Sequence, residues 1–206
     1  MERIISRIGG LIISPKETMK ILIHEKRGLA EALAIFLLFS VLNWVALVLA
    51  LRHLFNYIIG AFIMSLRFLT LWLSTLFIAM GIIFDLIFWA LLSVGIHLTA
   101  KAVDGGGSFE DTISVIGYSQ VSRALCIIPL ILSPFMPITS MILYIGLGVI
   151  TIAWFIYLAS IGLSEVHGIS FEKALITVIL PPLVILGLLI GIPLLWGLLS
   201  FWRWFP

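Results

Sequence analysis

Apolar residues fall in long runs along this chain, and the polar residues gather between the runs. A helix of about 20 apolar residues, at about 1.5 Å per residue, crosses a hydrocarbon core about 30 Å thick. The pattern predicts five such spans, at residues 29–51, 73–98, 109–132, 139–163 and 171–199. Residues 54–66 are also apolar but too short to span. They are interrupted by Asn56 and bounded by Arg52, His53 and Arg67, so they read either as an interfacial helix or as the frayed ends of their neighbours. The second apolar run is longer than one span needs, and the excess is expected to tilt or protrude. Ser133-Pro134-Phe135-Met136-Pro137 predicts a tight turn between the third and fourth spans, because each proline breaks helix. Residues 164–169 form a short polar loop before the fifth span, where Pro181, Pro182 and Pro193 are expected to bend the helix. Trp196, Trp202 and Trp204 at the far end fit an interfacial aromatic belt.

Residues 1–28 follow a different pattern. Ile4, Ile5, Ile8, Leu11 and Ile12 share one side of a helical wheel, with Arg3 and Arg7 elsewhere. Met19, Leu22 and Ile23 continue an apolar face opposed by Lys16, Lys20, Lys26 and Arg27. Ser14-Pro15-Lys16-Glu17 is a helix start, with Ser14 able to cap and Pro15 suited to the first helical position. Short amphipathic helices of this kind either lie on an anionic membrane surface or pack against the bundle.

Composition narrows the class. The chain has 206 residues, 62% hydrophobic and 11% charged, with a mean hydropathy of +1.26. Soluble domains average about 45–50% apolar and about 25% charged, so lipid is the available solvent. The expected fold class is all-α, a polytopic integral membrane protein with a five-transmembrane-helix bundle over residues 29–206 and N-terminal amphipathic interfacial helices over residues 1–28. The single cysteine, Cys126, forbids an internal disulfide and reads as a buried apolar residue. The first apolar run begins late and is too long for a cleaved signal, and no lipidation motif is expected. Arg3, Arg7, Lys16, Lys20, Lys26 and Arg27 precede the first span, and Lys101 and Lys173 fall on the same side of a five-span chain. Arg52, Arg67 and Arg203 fall on the other, so the charge bias predicts the cell membrane with the N-terminus cytoplasmic and the C-terminus outside. A net charge of +2 gives no reason to expect nucleic acid.

Few polar residues enter the spans, and each is a candidate. Asp85 lies deep in the second span; a lone ionised side chain there costs about 2.5–3.5 kcal/mol on insertion scales, so a partner or a water path is expected. Counted back from the turn at residues 100–108, Arg123 of the third span lies at nearly the same depth, which predicts an intramembrane Asp85–Arg123 pair. Such a pair either pins two helices together or serves the passage of an ion, proton or lipid headgroup. Tyr118, Ser119 and Gln120, with Asn43 of the first span, either line a polar cleft or hydrogen-bond across helices, and Gly117 leaves room for close approach. On the cytoplasmic loops, Gly106, Gly107, Ser108, Glu110 and Asp111 form one motif, and Glu165, His167, Ser170 and Glu172 a second. The repeated Ser-Phe-Glu at Ser108 and Ser170 reads as helix capping with an acid in the first turn, and is also compatible with a parallel repeat of two hairpins. Glu165 and His167 read as solvated loop charges; their spacing with His97, Asp104, Glu110 and Asp111 matches no metal signature. No phosphate loop, zinc-protease motif or nucleophile elbow is present, so neither enzyme activity nor a cofactor is expected.

The run Gly-Gly-Ser-Phe-Glu-Asp-Thr-x-Ser-Val-x-Gly-Tyr-Ser over Gly106 to Ser119 is followed by Ile128-Pro129. With the Ser14-Pro15 start and the loop Glu165-Val166-His167-Gly168-Ile169-Ser170, it resembles the Yip family of polytopic membrane proteins, the Ypt/Rab-interacting proteins. The resemblance implies a five-helix fold with a cytoplasmic N-terminus. Eukaryotic members are associated with Rab-type GTPases, vesicle traffic between endoplasmic reticulum and Golgi, and membrane shaping. The chain lacks the long cytosolic N-terminal region and the Asp-Leu-Tyr-Gly-Pro-type motif of several eukaryotic members, so a compact prokaryotic-type member is expected and the resemblance does not carry Rab binding over to it. The expectation is a non-enzymatic protein that organises the lipid bilayer or recruits other membrane or cytosolic proteins at its inner face, with oligomers open. The alternative is a transporter, channel or lipid scramblase using the intramembrane polar path.

Overall fold

The computed structural model describes residues 2–24, 29–59 and 67–202. Lys26, Arg27, Arg203, Trp204 and residues 60–66 lie outside the described residues, so the readings placed on them are not addressed by the fold. Among the described residues the chain is all-α. It runs α1 (Glu2–Ile13), α2 (Pro15–His24), α3 (Leu29–Ile59), α4 (Arg67–Ala102), α5 (Phe109–Ser119), a 3-10 segment (Gln120–Cys126), α6 (Ile127–Leu132), α7 (Pro137–His167) and α8 (Phe171–Trp202). Five stretches are long and apolar enough to cross a membrane: Leu29–Ile58, Trp72–Ala102, Phe109–Leu132, Pro137–His167 and Phe171–Trp196.

The first span is longer than its apolar core requires. No glycine or proline follows Leu51 until Gly60, so nothing stops the helix, and α3 continues to Ile59. Residues 54–59 are therefore an extension of α3 and not a separate interfacial helix. α3 is also the hub of the bundle, packing against α4, α5, the 3-10 segment, α6 and α7. α8 packs on α4 and α7.

The N-terminal helices divide their apolar residues between two environments. Leu11, Met19 and Leu22 are buried against Ala32, Ile35, Tyr118 and Val121 of the bundle. Ile5, Ile13 and Ile21 stay exposed, which leaves an apolar edge for a membrane interface. Two cations tie the pair down: Arg7 reaches both carboxylate oxygens of Glu31, at 2.5 and 2.6 Å, and Lys20 meets Glu165 at 3.0 Å. These side chains hold α1 and α2 to the bundle. The end of the bundle that carries α1, α2 and the loops 103–108 and 168–170 is called the near end below.

The third span is not one helix. α5 stops at Ser119, the chain tightens to 3-10 over Gln120–Cys126, and α6 resumes. Two local causes act there. The Ser119 hydroxyl donates back to the Val115 carbonyl at 2.8 Å, a bond that competes with the helix ladder and bends helices. Pro129 supplies no amide donor and its ring crowds the carbonyl four residues earlier, so the turn at Leu125 gains little from staying α. By contrast α8 stays helical through Pro181, Pro182 and Pro193. Its first half packs closely: a Cβ on Gly95 would stand 3.0 Å from Pro181, so glycine lets α4 and α8 meet.

Candidate functional site

The structure brings Asp85 and Arg123 together. Arg123 Nη1 donates to Asp85 Oδ2 at 2.5 Å, and the Ser40 hydroxyl donates to the same oxygen at 2.7 Å. Asp85 is 8% exposed. Arg123 is carried by the 3-10 segment, whose winding of about 3.0 residues per turn rotates it off the face that a continued α-helix would give it. Charge neutralisation and hydrogen bonding together allow a carboxylate to stay in a low-dielectric interior.

A cavity of about 180 Å³ lies beside the pair. Asp85, Arg123, Gln120, Ser122, Trp89 and Thr151 contribute to its wall, together with apolar groups of α3, α4 and α7. The Trp89 Nε1–H and the Ser122 hydroxyl have no hydrogen-bond partner among the described residues. An interior donor without a partner costs about 1–3 kcal/mol, which a water or a polar ligand group would offset. Of the residues grouped as a polar cleft, only Gln120 lines this cavity. Tyr118 is 3% exposed and packs in the apolar cluster with Leu11 and Met19, because its helix face turns toward α3. Ser119 is consumed by its bond to Val115. Asn43 accepts the Tyr144 hydroxyl at 3.0 Å, an interhelical bond between α3 and α7. The cavity is thus lined differently from the group read in the sequence: Gln120 is kept, Trp89, Ser122 and Thr151 replace Tyr118, Ser119 and Asn43, and Asn43 takes the alternative role of bonding across helices.

At the near end the two loop motifs meet. The Gly106 N–H donates to the His167 carbonyl at 2.9 Å, and the Gly107 N–H donates to His167 Nδ1 at 3.2 Å. Accepting that bond leaves Nε2 to carry the proton of the neutral ring, and it donates to Thr112 Oγ1 at 2.9 Å. The Thr112 hydroxyl passes its own proton to the Ser108 carbonyl at 3.0 Å. His97 Nδ1, 3.0 Å from Thr112 Oγ1, then donates to the remaining lone pair. Thr112 is saturated, and α4, α5 and α7 are joined through one hydroxyl. His167 is 3% exposed, so it is a buried structural ring and not a solvated loop charge. The glycines make room for it. A Cβ on Gly105 would stand 2.7 Å from both His167 Nδ1 and the Ala100 carbonyl, and one on Gly107 would stand 2.6 Å from Val166.

The exposed rim of this knot is polar. Ser108 accepts the Asp111 N–H at 3.1 Å while Asp111 Oδ2 accepts the Ser108 N–H at 3.3 Å, a complete capping box. Ser170 Oγ accepts the Lys173 N–H at 3.4 Å, a longer version of the same cap. Lys101, Asp104, Glu110, Asp111, Glu172 and Lys173 all face outward, and Glu165 is held by Lys20. Among the described residues no group of three metal-ligating side chains forms. Sequence reasoning missed the roles of Ser40 and Thr112, and weighed His97 only as a metal neighbour. Ser40 is one serine among several and lies far from Asp85 in sequence; Thr112 sits inside the quoted motif, but its partners come from two other helices.

This chain belongs to the Yip1 domain family, which matches it over residues 9–192. No curated protein and no solved structure matches it. With five membrane-crossing helices and that family assignment, it is a multi-pass membrane protein.

Proposed function

We propose that this protein is non-enzymatic and acts in the cell membrane by recruiting other proteins, or shaping the bilayer, through its near end, which faces the cytoplasm. The observation that carries the reading is the knot of Gly106, Gly107, Thr112 and His167. It fuses two loops into one rigid polar platform, while the rest of the described surface is mainly apolar and suited to lipid. A preorganised platform loses little conformational freedom when it binds, which favours recruitment. The Lys and Arg bias before the first span supports the cytoplasmic side for this end. Photo-crosslinking from position 110 on the platform and from position 135 at the far end, in native membranes, tests it. Discrete adducts are expected from 110 alone. Equal or absent capture at both positions would rule out recruitment at this surface.

The broken third span favours a second reading, passage of an ion or a lipid headgroup. Backbone that leaves the α-helix at membrane depth is tolerated where it is buried in protein or lines a polar cavity, and here the 3-10 segment adjoins a cavity with an ion pair. Liposomes containing the wild type or Asp85→Asn, assayed for ion flux and headgroup flipping, decide between the two. Activity lost in Asp85→Asn supports passage; inactivity of both proteins removes it.

A further inference from the structure

A second cavity, of about 480 Å³, lies between α3 and α4 on the far side of Asp85. Trp44, Val48 and Phe77 line its apolar part, and Arg52, Asn56 and Ser74 line it as well. The helical register shows how these groups are layered. Ser40 touches Asp85, and a Cβ on Gly81 would stand 2.2 Å from the Trp44 ring, so α3 and α4 run antiparallel here. From Ser40 the helix climbs about 18 Å to Arg52, and from Asp85 α4 climbs about 17 Å to Ser74. Arg52 and Ser74 therefore stand at one level on opposite walls, with Asn56 one turn beyond. Trp44, Val48 and Phe77 lie deeper.

That level coincides with a membrane boundary. Glu31, paired with Arg7, marks the near end of α3. Arg52 lies about 31 Å further along the helix, close to the thickness of a hydrocarbon core, about 30 Å. No carboxylate pairs with Arg52 among the described residues. An arginine fork at the edge of the hydrocarbon, above an apolar groove, is complementary to a phosphate with an acyl chain attached.

We propose that the α3–α4 groove binds a glycerophospholipid of net negative charge. Its phosphate sits on Arg52, with the Asn56 amide and the Ser74 hydroxyl as further donors, and one acyl chain runs down past Val48 and Phe77 toward Trp44. A zwitterionic lipid brings the same chain and the same phosphate, but its headgroup cation stands near Arg52 and offsets the attraction, so it binds more weakly.

Native mass spectrometry of the full-length protein in detergent, titrated with phosphatidylglycerol and phosphatidylcholine, reads this directly. The wild type is expected to retain phosphatidylglycerol preferentially. Arg52→Gln lowers the retained fraction about tenfold, the effect of losing one charge-assisted contact, and Arg52→Lys restores part of it. Val48→Trp fills the groove and removes both lipids. A second measurement leaves the arginine untouched: phosphatidylglycerol brominated along its chain quenches tryptophan emission, and the part contributed by Trp44 is lost in Trp44→Phe while exposed tryptophans such as Trp72 and Trp196 are still quenched. Equal retention of the two lipids with no response to Arg52→Gln overturns the proposal. So does a quenching amplitude that is the same in Trp44→Phe as in the wild type, or a groove that takes lipid only after a second copy of the chain dissociates.

Discussion

The third and fifth spans begin alike and end differently. Each opens on Ser-Phe-Glu after a loop with glycine, and each carries an acid in its first turn. The third contains one proline and breaks; the fifth contains three and does not. Burial separates them: 56% of the third span's most apolar window is buried, against 17% for the fifth. A span wrapped by α3, α4 and α7 can let its backbone tighten to 3-10, since neighbouring protein shields and satisfies the polar groups. A span largely facing lipid has no such partners and keeps its ladder as complete as proline allows. Proline content alone is thus a poor guide to where a membrane helix yields. Surroundings and the polar side chains present decide it.

The strongest way to break this contrast is to remove the charge that the third span's tight segment delivers. Arg123→Ala leaves Asp85 buried with only Ser40 beside it. Loss of one partner from a buried pair costs about 3–5 kcal/mol, so the variant is expected to unfold at far lower denaturant. The double variant Asp85→Leu with Arg123→Leu recovers most of that loss, because two apolar groups need no compensation. Steric-trapping or thermal unfolding in one detergent compares the three proteins. A double variant no more stable than Arg123→Ala would mean that the 3-10 segment itself depends on the pair.

This pairing marks how much the sequence alone discloses. Depth counting placed Asp85 opposite Arg123 because rise per residue is nearly constant in helices. The same arithmetic cannot show rotation about the axis, so it could not tell that Ser119 and Tyr118 turn away from the cavity while Ser122 lines it. Five apolar runs disclosed the spans, but the junction near residues 54–59 was ambiguous, since a polar Asn56 is compatible with either a helix end or an exposed position. His167 looked like a loop charge for a related reason. Its burial comes from Gly105 and Gly107, which vacate the space for its ring from a loop sixty residues away. Distant packing of that kind leaves only a run of glycines in the sequence, with no hint of what fills the room.

A smaller effect sharpens the comparison at the loops that precede the two spans. Gly105→Ala pushes a methyl group against the Ala100 carbonyl and the His167 ring, and backbone cannot swing aside as a side chain can. A cost of about 1–3 kcal/mol is expected from such overpacking. Before the fifth span, Gly168 has φ of 65° and nothing near its Cβ position. Gly168→Ala therefore meets only the left-handed backbone penalty, about 1 kcal/mol. Gly168→Asn, which tolerates that region better, should lie closer to wild type. Unfolding midpoints rank the variants. Amide exchange should also rise at Gly106 in Gly105→Ala alone, since only that loop's bond to the His167 carbonyl is disturbed.

The smallest difference lies in the caps themselves. Ser108 is engaged three ways: its hydroxyl accepts the Asp111 N–H at 3.1 Å and donates to Asp111 Oδ2 at 2.6 Å, and its N–H reaches the same oxygen at 3.3 Å. Ser170 accepts the Lys173 N–H at 3.4 Å, a long contact. Both serines are exposed, so water replaces much of what is removed. Ser108→Ala is expected to cost about 1 kcal/mol, near the middle of the range for a lost N-cap, and Ser170→Ala only about 0.5 kcal/mol. Because the α5 cap also positions Thr112, whose hydroxyl gathers His97 and His167, its loss should loosen the knot beyond the helix end. Exchange measured at residues 109–112 and 171–174 separates the two effects. Ser108→Ala should also speed exchange at Gly107, while Ser170→Ala stays local. Equal, local responses to both substitutions would show that the two helix starts are interchangeable and that the knot owes nothing to its cap.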